Sequence, residues 1–177
     1  MTSSTMIGST DSLHRISADE RRRTLRSAFA QFPSGVTAVC ALGPDGSPAG
    51  MAVSSFTSVS LDPALVSVCI GRGSSTWSVL ATCHRIGISV LGADQADLCT
   101  SLAARADDRF ADASWEASDA GAVFLHGAPL WLECRIDRVI AAGDHELVLL
   151  EVAGARVHDQ HDPLLFHLSG LRGLTPS

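Results

Sequence analysis

The 177-residue chain has no tyrosine, no Cys-x-x-Cys pair and no Gly-x-Ser-x-Gly element, and only 5% of its residues are aromatic. Without the Gly-x-Ser-x-Gly elbow a serine-hydrolase reading has no support. Without GK[ST] or a complete GxGxxG, the Walker and Rossmann nucleotide folds have none either. No pair of carboxylates stands out for acid–base work. A formal net charge of −6 argues against a general nucleic-acid binder. Arg21-Arg22-Arg23 reads as a helix surface, because no aromatic platform accompanies it. No apolar run is long enough to span a bilayer, and MTSSTMIGSTDSLHR lacks the apolar stretch of a secretory signal, so no membrane is expected and the expected location is the cytoplasm.

Cysteine is present in a pattern that excludes two of its uses. Cys40, Cys69, Cys83, Cys99 and Cys134 are odd in number, and Cys40, Cys69 and Cys134 interrupt apolar, strand-like runs. Buried thiols in a reducing compartment fit this better than disulfides or a zinc site. His158-Asp159-Gln160-His161-Asp162 has metal-ligating residue types, but it falls in an expected loop without a further ligand cluster, so no metal is expected.

What remains is an ordinary globular composition, 46% hydrophobic and 18% charged, of a length that suits one domain. Residues 1–16 read as a flexible Ser/Thr-rich tail and 17–177 as the folded domain. Ser17-Ala18-Asp19-Glu20 has the form of a capping box. Leu25, Ala28, Phe29 and Phe32 follow at helical spacing, and Pro33 closes the helix. From Val36 the pattern is β. Val36–Leu42 turns at Gly43-Pro44-Asp45-Gly46 into Ala49–Phe56, and Leu65–Ile70 and Ile86–Leu91 read as strands. Short helices are expected at Ser75–Thr82 and Asp94–Ala104, the latter capped by Asp94. Leu130–Ala141 and Glu146–His158 form a long hairpin, and Leu164–Leu168 adds a short strand. Strands joined by short turns outnumber helices, which points to an antiparallel barrel with peripheral helices.

Three segments are candidates for chemistry. Gly71-Arg72-Gly73-Ser74-Ser75-Thr76 follows a strand and opens a helix; it is either a phosphate-holding turn or a plain Gly/Ser loop. Gly50 to Ser58 is dense in small and hydroxyl residues, as a strand against a planar ligand needs, and as a hydroxyl-rich edge strand also is. Gly143-Asp144-His145 puts a histidine at the tip of the long hairpin, either solvated or in polar contact with a ligand. The lack of a nucleophile or acid–base set suits a reaction whose hard step belongs to a bound cofactor.

In order along the chain, these segments resemble the flavin reductase family of FMN-binding split barrels, the reductase partners of two-component monooxygenases. The resemblance rests on Phe32-Pro33-Ser34-Gly35-Val36-Thr37, the stretch Gly50 to Pro63, Leu65–Ile70, Ser75-Thr76, Asp108-Arg109-Phe110, Leu132-Glu133-Cys134, Gly143-Asp144-His145 and Pro163-Leu164-Leu165. It covers about Arg22 to Leu174.

It implies a homodimer of mainly β, six-stranded antiparallel Greek-key split barrels with peripheral helices. It implies reduction of FMN or FAD by NADH or NADPH, with the reduced flavin passing to a partner monooxygenase. Met51, Ala52, Val53, Ser54 and Ser55 would line the isoalloxazine ring, and Ser34, Gly35 and Val36 would approach it from the neighbouring segment. Arg72, Ser75 and Thr76 would hold the phosphate, Phe110 would pack near the flavin or nicotinamide, and His145 would position the nicotinamide. The chain departs from the family at Ser54, where many members have asparagine, and at Phe166, His167 and Leu171, where an aromatic such as tyrosine is common. Those departures motivate the alternative of a non-catalytic flavin- or haem-binding carrier or sensor. Pyridoxamine-phosphate oxidase-like chemistry on the same architecture matches the motifs less well.

Overall fold

The computed structural model describes residues 17, 20–104, 108–158 and 162–174. The expected tail, and three residues of the His158–Asp162 stretch, lie outside them. Helix α1 (Arg21–Phe29) begins at Glu20 without a side-chain cap. In place of the expected capping box, the Ser17 hydroxyl donates to the Glu20 carboxylate at 3.1 Å. The reason is register: Glu20 is itself the cap residue, whereas a box needs it three positions into the helix.

The strands are β1 (Ser34–Gly35), β2 (Thr37–Leu42), β3 (Pro48–Val53), β4 (Thr57–Leu61) and β5 (Ala64–Gly71). After helix α2 (Ser75–Leu80) come β6 (Ile86–Val90), helix α3 (Ala96–Ala103), β7 (Trp115–Ala117) and β8 (Val123–Leu125). The long β9 (Leu130–Ala142) and β10 (His145–Val157) are followed by β11 (Leu165–His167) and β12 (Gly170–Arg172). The architecture is mainly β and antiparallel, as expected. Its main sheet has seven strands in the order β3-β2-β6-β9-β10-β5-β4. That is one more than the six expected, because the chain after Phe56 makes β4, which pairs with β5. No helix among the described residues is long and apolar enough to cross a membrane.

The continuous apolar reading of β2 has a simple cause: both of its faces are buried. Val39 and Ala41 belong to the cluster with Val68, Ile88, Leu150 and, from α2, Trp77 and Leu80. Ala38 and Cys40 face a second cluster with Leu102 of α3, Phe110 and Val123. Burial pushes the Cys40 and Cys134 thiols up to about 12, so they act as apolar packing groups. Cys69 corrects the sequence reading. Alternation along β5 sends Val68 and Ile70 inward and leaves Cys69 exposed.

The expected helix from Asp94 is divided into a 3-10 turn (Ala93–Gln95) and α3. The residue at the cap position of α3 is Gln95, not Asp94, and its side chain makes no bond to the helix N–H groups. Gln95 Oε1 accepts from the Gly92 N–H at 2.9 Å, and Nε2 donates to the His126 carbonyl at 2.8 Å.

Two glycines allow close approach between layers. A Cβ on Gly50 would lie 2.5 Å from Cys40 Sγ and 2.7 Å from Phe110 Cζ; one on Gly87 would lie 2.1 Å from the Val123 carbonyl oxygen. The sheet curls, but no ladder joins β3 to β5. One side chain bridges the gap where the chain crosses from β3 towards β4. Ser55 Oγ accepts from the Cys69 N–H at 2.8 Å and donates to the Cys69 carbonyl at 3.0 Å. Ser55→Ala leaves both Cys69 groups without that partner, so we expect a loss of about 1–2 kcal/mol in urea unfolding. Amide exchange at Cys69 should accelerate while Val68 stays protected. An unchanged midpoint with unchanged exchange would show that the bridge carries no weight.

Candidate active site

Strand β3 displays its side chains alternately. Met51 and Val53 pack against the inner cluster, and Ala52 against the outer one. Pro48, Gly50, Ala52 and Ser54 therefore share a face of small residues, about 20 Å long at roughly 3.3 Å per residue. A groove opens at each end of it. Ser54 lines one, of 960 Å³, together with Ser34, His145, Asp144, Phe166 and the α1 arginines Arg22 and Arg26. Pro48 and Gly50 line the other, of 790 Å³, together with Ser75, Thr76, Arg109, Phe110 and Trp115.

At the first groove, the geometry is set by β10. His145 opens that strand, pairs with Ala142 of β9 and, on the other side, with Gly71 of β5. Its Nε2 would lie 3.9 Å from a Cβ on Gly71, so the histidine stands over the start of the Gly71–Thr76 turn. The Arg72 N–H donates to the Asp144 carbonyl at 3.1 Å, tying that turn to the hairpin tip. His145 Nδ1 is 2.7 Å from Asp144 Oδ1. A carboxylate only accepts, so the proton of that bond belongs to Nδ1, and in the neutral ring Nε2 is left as an acceptor. The His145 bond and charge hold the exposed Asp144 carboxyl below its usual range. Ser34 reaches the same groove because β1 pairs with β11, Ser34 opposite Phe166.

The second groove is built on α2. Ser74 caps this helix by accepting from the Trp77 N–H at 3.1 Å. The N–H groups of Ser75 and Thr76, the first two helical residues, have no partner within the helix. Trp77 Nε1 donates to Glu146 Oε2 at 2.7 Å, which fixes α2 against β10. Arg109 Nη1 donates to Thr76 Oγ1 at 2.8 Å, to the Gly50 carbonyl at 3.3 Å and to the Leu102 carbonyl at 3.4 Å. A guanidinium and the hydroxyl residues at the start of α2 thus line one mouth, with Asp108 among the lining as the opposing charge. That donor set suits a phosphate.

Of the residues singled out in the sequence, Ser34, Ser54 and His145 meet at the first groove, and Ser75, Thr76 and Phe110 at the second. Met51, Ala52 and Val53 lie on the strand between. Gly35 is exposed beside Ser34. Arg72 is exposed in the turn but lines neither groove. Ser55 spends its hydroxyl on Cys69 rather than on a ligand. Val36 is turned away from the grooves: its side chain is in the outer cluster, its N–H goes to Leu164 and its carbonyl accepts from Leu91. Phe110 is buried, edge-on to Trp115 at 6.5 Å, and forms wall rather than contact surface.

Sequence reasoning quoted Arg109 within Asp108-Arg109-Phe110 but gave a role only to Phe110; the signal was an arginine between Asp108 and a buried Phe110. It also missed the α1 arginines as groove lining, since nothing local tells which face of α1 meets the sheet.

The model of the flavin reductase-like domain matches residues 29–175. The chain is 41% identical over 149 residues to an NADH:FMN oxidoreductase of Rhodococcus erythropolis, covering 80% of this chain and 76% of that protein. Among solved structures it resembles the NADH:FAD oxidoreductase SgcE6 of Streptomyces globisporus C-1027, in complex with NAD and FAD fragments. That match has TM-score 0.84, 34% identity, and covers 92% of this chain and 98% of the other. The styrene monooxygenase flavin reductase of Pseudomonas putida S12 matches with TM-score 0.78 and 32% identity, over 86% of this chain and 97% of that one. Some relatives are longer, the chain spanning 45% of their length.

The hairpin tip makes a prediction of its own. At about pH 8, above the ordinary imidazole range, nitrogen NMR should show His145 protonated at Nδ1, and Asp144→Ala should abolish that preference. Because the folded Asp144 pKa is depressed, the contact is fully present above the ordinary carboxylate range and is lost only as pH falls through the lower, folded value. A wild-type His145 carrying its proton on Nε2 would contradict the assignment.

Proposed function

The chain belongs to the family of flavin reductase-like domains, and on that footing we propose how it works: NAD(P)H reduces FMN or FAD along β3, and the reduced flavin serves a partner monooxygenase. The observation that carries the reading is the small-residue face of β3 with unlike chemistry at its two ends. A flavin is a planar ring joined by a polyol chain to a phosphate, and it needs a flat approach at one end and anion donors at the other. Arg109, Ser75, Thr76 and the free N–H groups of α2 answer the second need, with Arg72 adding positive charge nearby. Ala52 and Ser54 answer the first, and β3 is an edge strand whose outward backbone groups beyond Gly50, where Arg109 already holds the carbonyl, can meet the ring's polar rim.

The flavin supplies a two-electron acceptor and the reduced nicotinamide supplies the hydride. His145 holds the nicotinamide: its Nε2 lone pair can accept from a carboxamide N–H, while Asp144 fixes the ring and the tautomer. No proton is moved by either residue, since hydride transfer requires orientation rather than acid–base chemistry. Ser34 and Ser54 offer hydroxyls across the groove from His145. Where many family members have asparagine, Ser54 reaches less far, so a water is suited to complete that contact.

We read residues 17–177 as one domain, working in the cytoplasm as a homodimer. Leu61, 97% exposed, with exposed Val59, Val139 and Ile140, offers apolar surface for the second copy.

Purified protein should oxidise NADH or NADPH only when FMN or FAD is added. His145→Ala should lower kcat/KM for the nicotinamide about 10- to 100-fold and leave flavin affinity unchanged. Retained flavin with no nicotinamide oxidation in any combination would favour the non-catalytic carrier instead.

A further inference from the structure

All 13 Lys+Arg residues of this acidic chain are arginine, and four of them, Arg21, Arg22, Arg23 and Arg26, crowd into six positions. Among the described residues, the arginines in ion pairs are Arg85, Arg135 and Arg156, none of them on α1. On a nine-residue helix, Arg22 and Arg26 are one turn apart on the same face. Leu25 and Phe29 continue that face, and together they form one wall of the groove whose other wall holds Asp144, His145 and Ser54. Arg22 is near enough for its charge to help depress the Asp144 carboxyl across the groove. At 960 Å³ the groove is at the upper end of small-molecule sites and far larger than a nicotinamide ring needs. An acidic protein that places there guanidinium groups outside the ion pairs of the described residues offers a receptor for anions.

We propose that Arg22 and Arg26 bind the pyrophosphate of the nicotinamide dinucleotide whose reactive ring His145 positions, so that α1 is the substrate-recognition helix of this site. The inference rests on the reductase reading for the identity of the ligand. The exposed apolar face of Phe29, 70% accessible, continues the wall beyond the arginines and suits the adenine end of the same molecule. Arg21 also lines the groove, whereas Arg23 does not and meets Arg22 and Arg26 only at a neighbouring cavity.

The test compares wild type with the Arg22→Gln/Arg26→Gln double variant, and with Arg23→Gln as control. KM for NADH should rise about tenfold or more, as loss of charge-assisted hydrogen bonds implies, while kcat, flavin affinity and oligomeric state stay the same. Reduced nicotinamide riboside, which carries no phosphate, should be used equally well by wild type and double variant; a merely structural defect would impair both substrates. Independently of turnover, ADP-ribose should bind to wild type by calorimetry and more weakly, by a similar factor, to the double variant. Arg23→Gln should behave as wild type.

Unchanged KM and unchanged ADP-ribose binding would overturn the proposal and leave the reductase intact. Loss of FAD affinity relative to FMN, with KM for NADH unchanged, would overturn it by assigning the arginines to the flavin's adenylate. A change of oligomeric state in the double variant would overturn it by making α1 an interface. If wild type oxidises no nicotinamide yet binds ADP-ribose through these arginines, the reductase reading fails and the phosphate site stands.

Discussion

Between β3 and β5 the sheet is held by one hydroxyl instead of a ladder. Ser55 Oγ bonds both backbone groups of Cys69, and the chain crosses there from one edge of the sheet to the other. Cys69 is two residues from Gly71, Gly71 pairs with His145, and Ser54 precedes the latch. The distance between β3 and the hairpin tip is therefore fixed through a chain of four short links. Because the junction is a point and not a ladder, β3 remains an edge strand, and in the proposed reading a planar ligand approaches it there. The fold sacrifices one run of backbone hydrogen bonds to obtain a site.

The two ends of the site are held by different physics. At α2, fixed donors converge without moving charge: Arg109 ties Thr76, Gly50 and Leu102 together, and its placement depends on the same elements it braces. At the hairpin tip, an exposed Asp144–His145 pair selects a tautomer and leaves one nitrogen free. The first end suits a permanent anion, the second a neutral amide that must come and go. In the proposed reading such a division serves two ligands of unlike chemistry and needs no acid, base or nucleophile.

Much of this was legible in the sequence, for identifiable reasons. The β2 and β5 runs are apolar and short, and the Gly43–Gly46 turn is unambiguous, so the hairpins follow from local chemistry. β4 was not legible, because Val59 and Leu61 alternate with Ser58 and Ser60 but point to solvent, so the alternation marks no buried face. The cap of α3 was misassigned because Asp94 has the commoner cap chemistry, while Gln95 holds the cap position without a side-chain cap bond and spends its amide on Gly92 and His126. Ser34, Ser54, Ser75, Thr76 and His145 stand at the grooves as their motifs suggest. Val36 and Ser55 do not present groups there, since each is consumed by a partner distant in sequence, Leu164 and Leu91 for one and Cys69 for the other. Long-range satisfaction of polar groups is what a one-dimensional reading lacks.

The central claim is that phosphate and ring are recognised at opposite ends of β3, and the affinity ratio of FMN to riboflavin tests it most directly. Riboflavin has the same ring and chain without the phosphate. Wild type should prefer FMN by about tenfold or more, Ser75→Ala/Thr76→Val should bring the ratio towards unity, and His145→Ala should leave it unchanged. Equal affinity of wild type for FMN and riboflavin, or a ratio that responds to His145 and not to Ser75 and Thr76, would contradict the account.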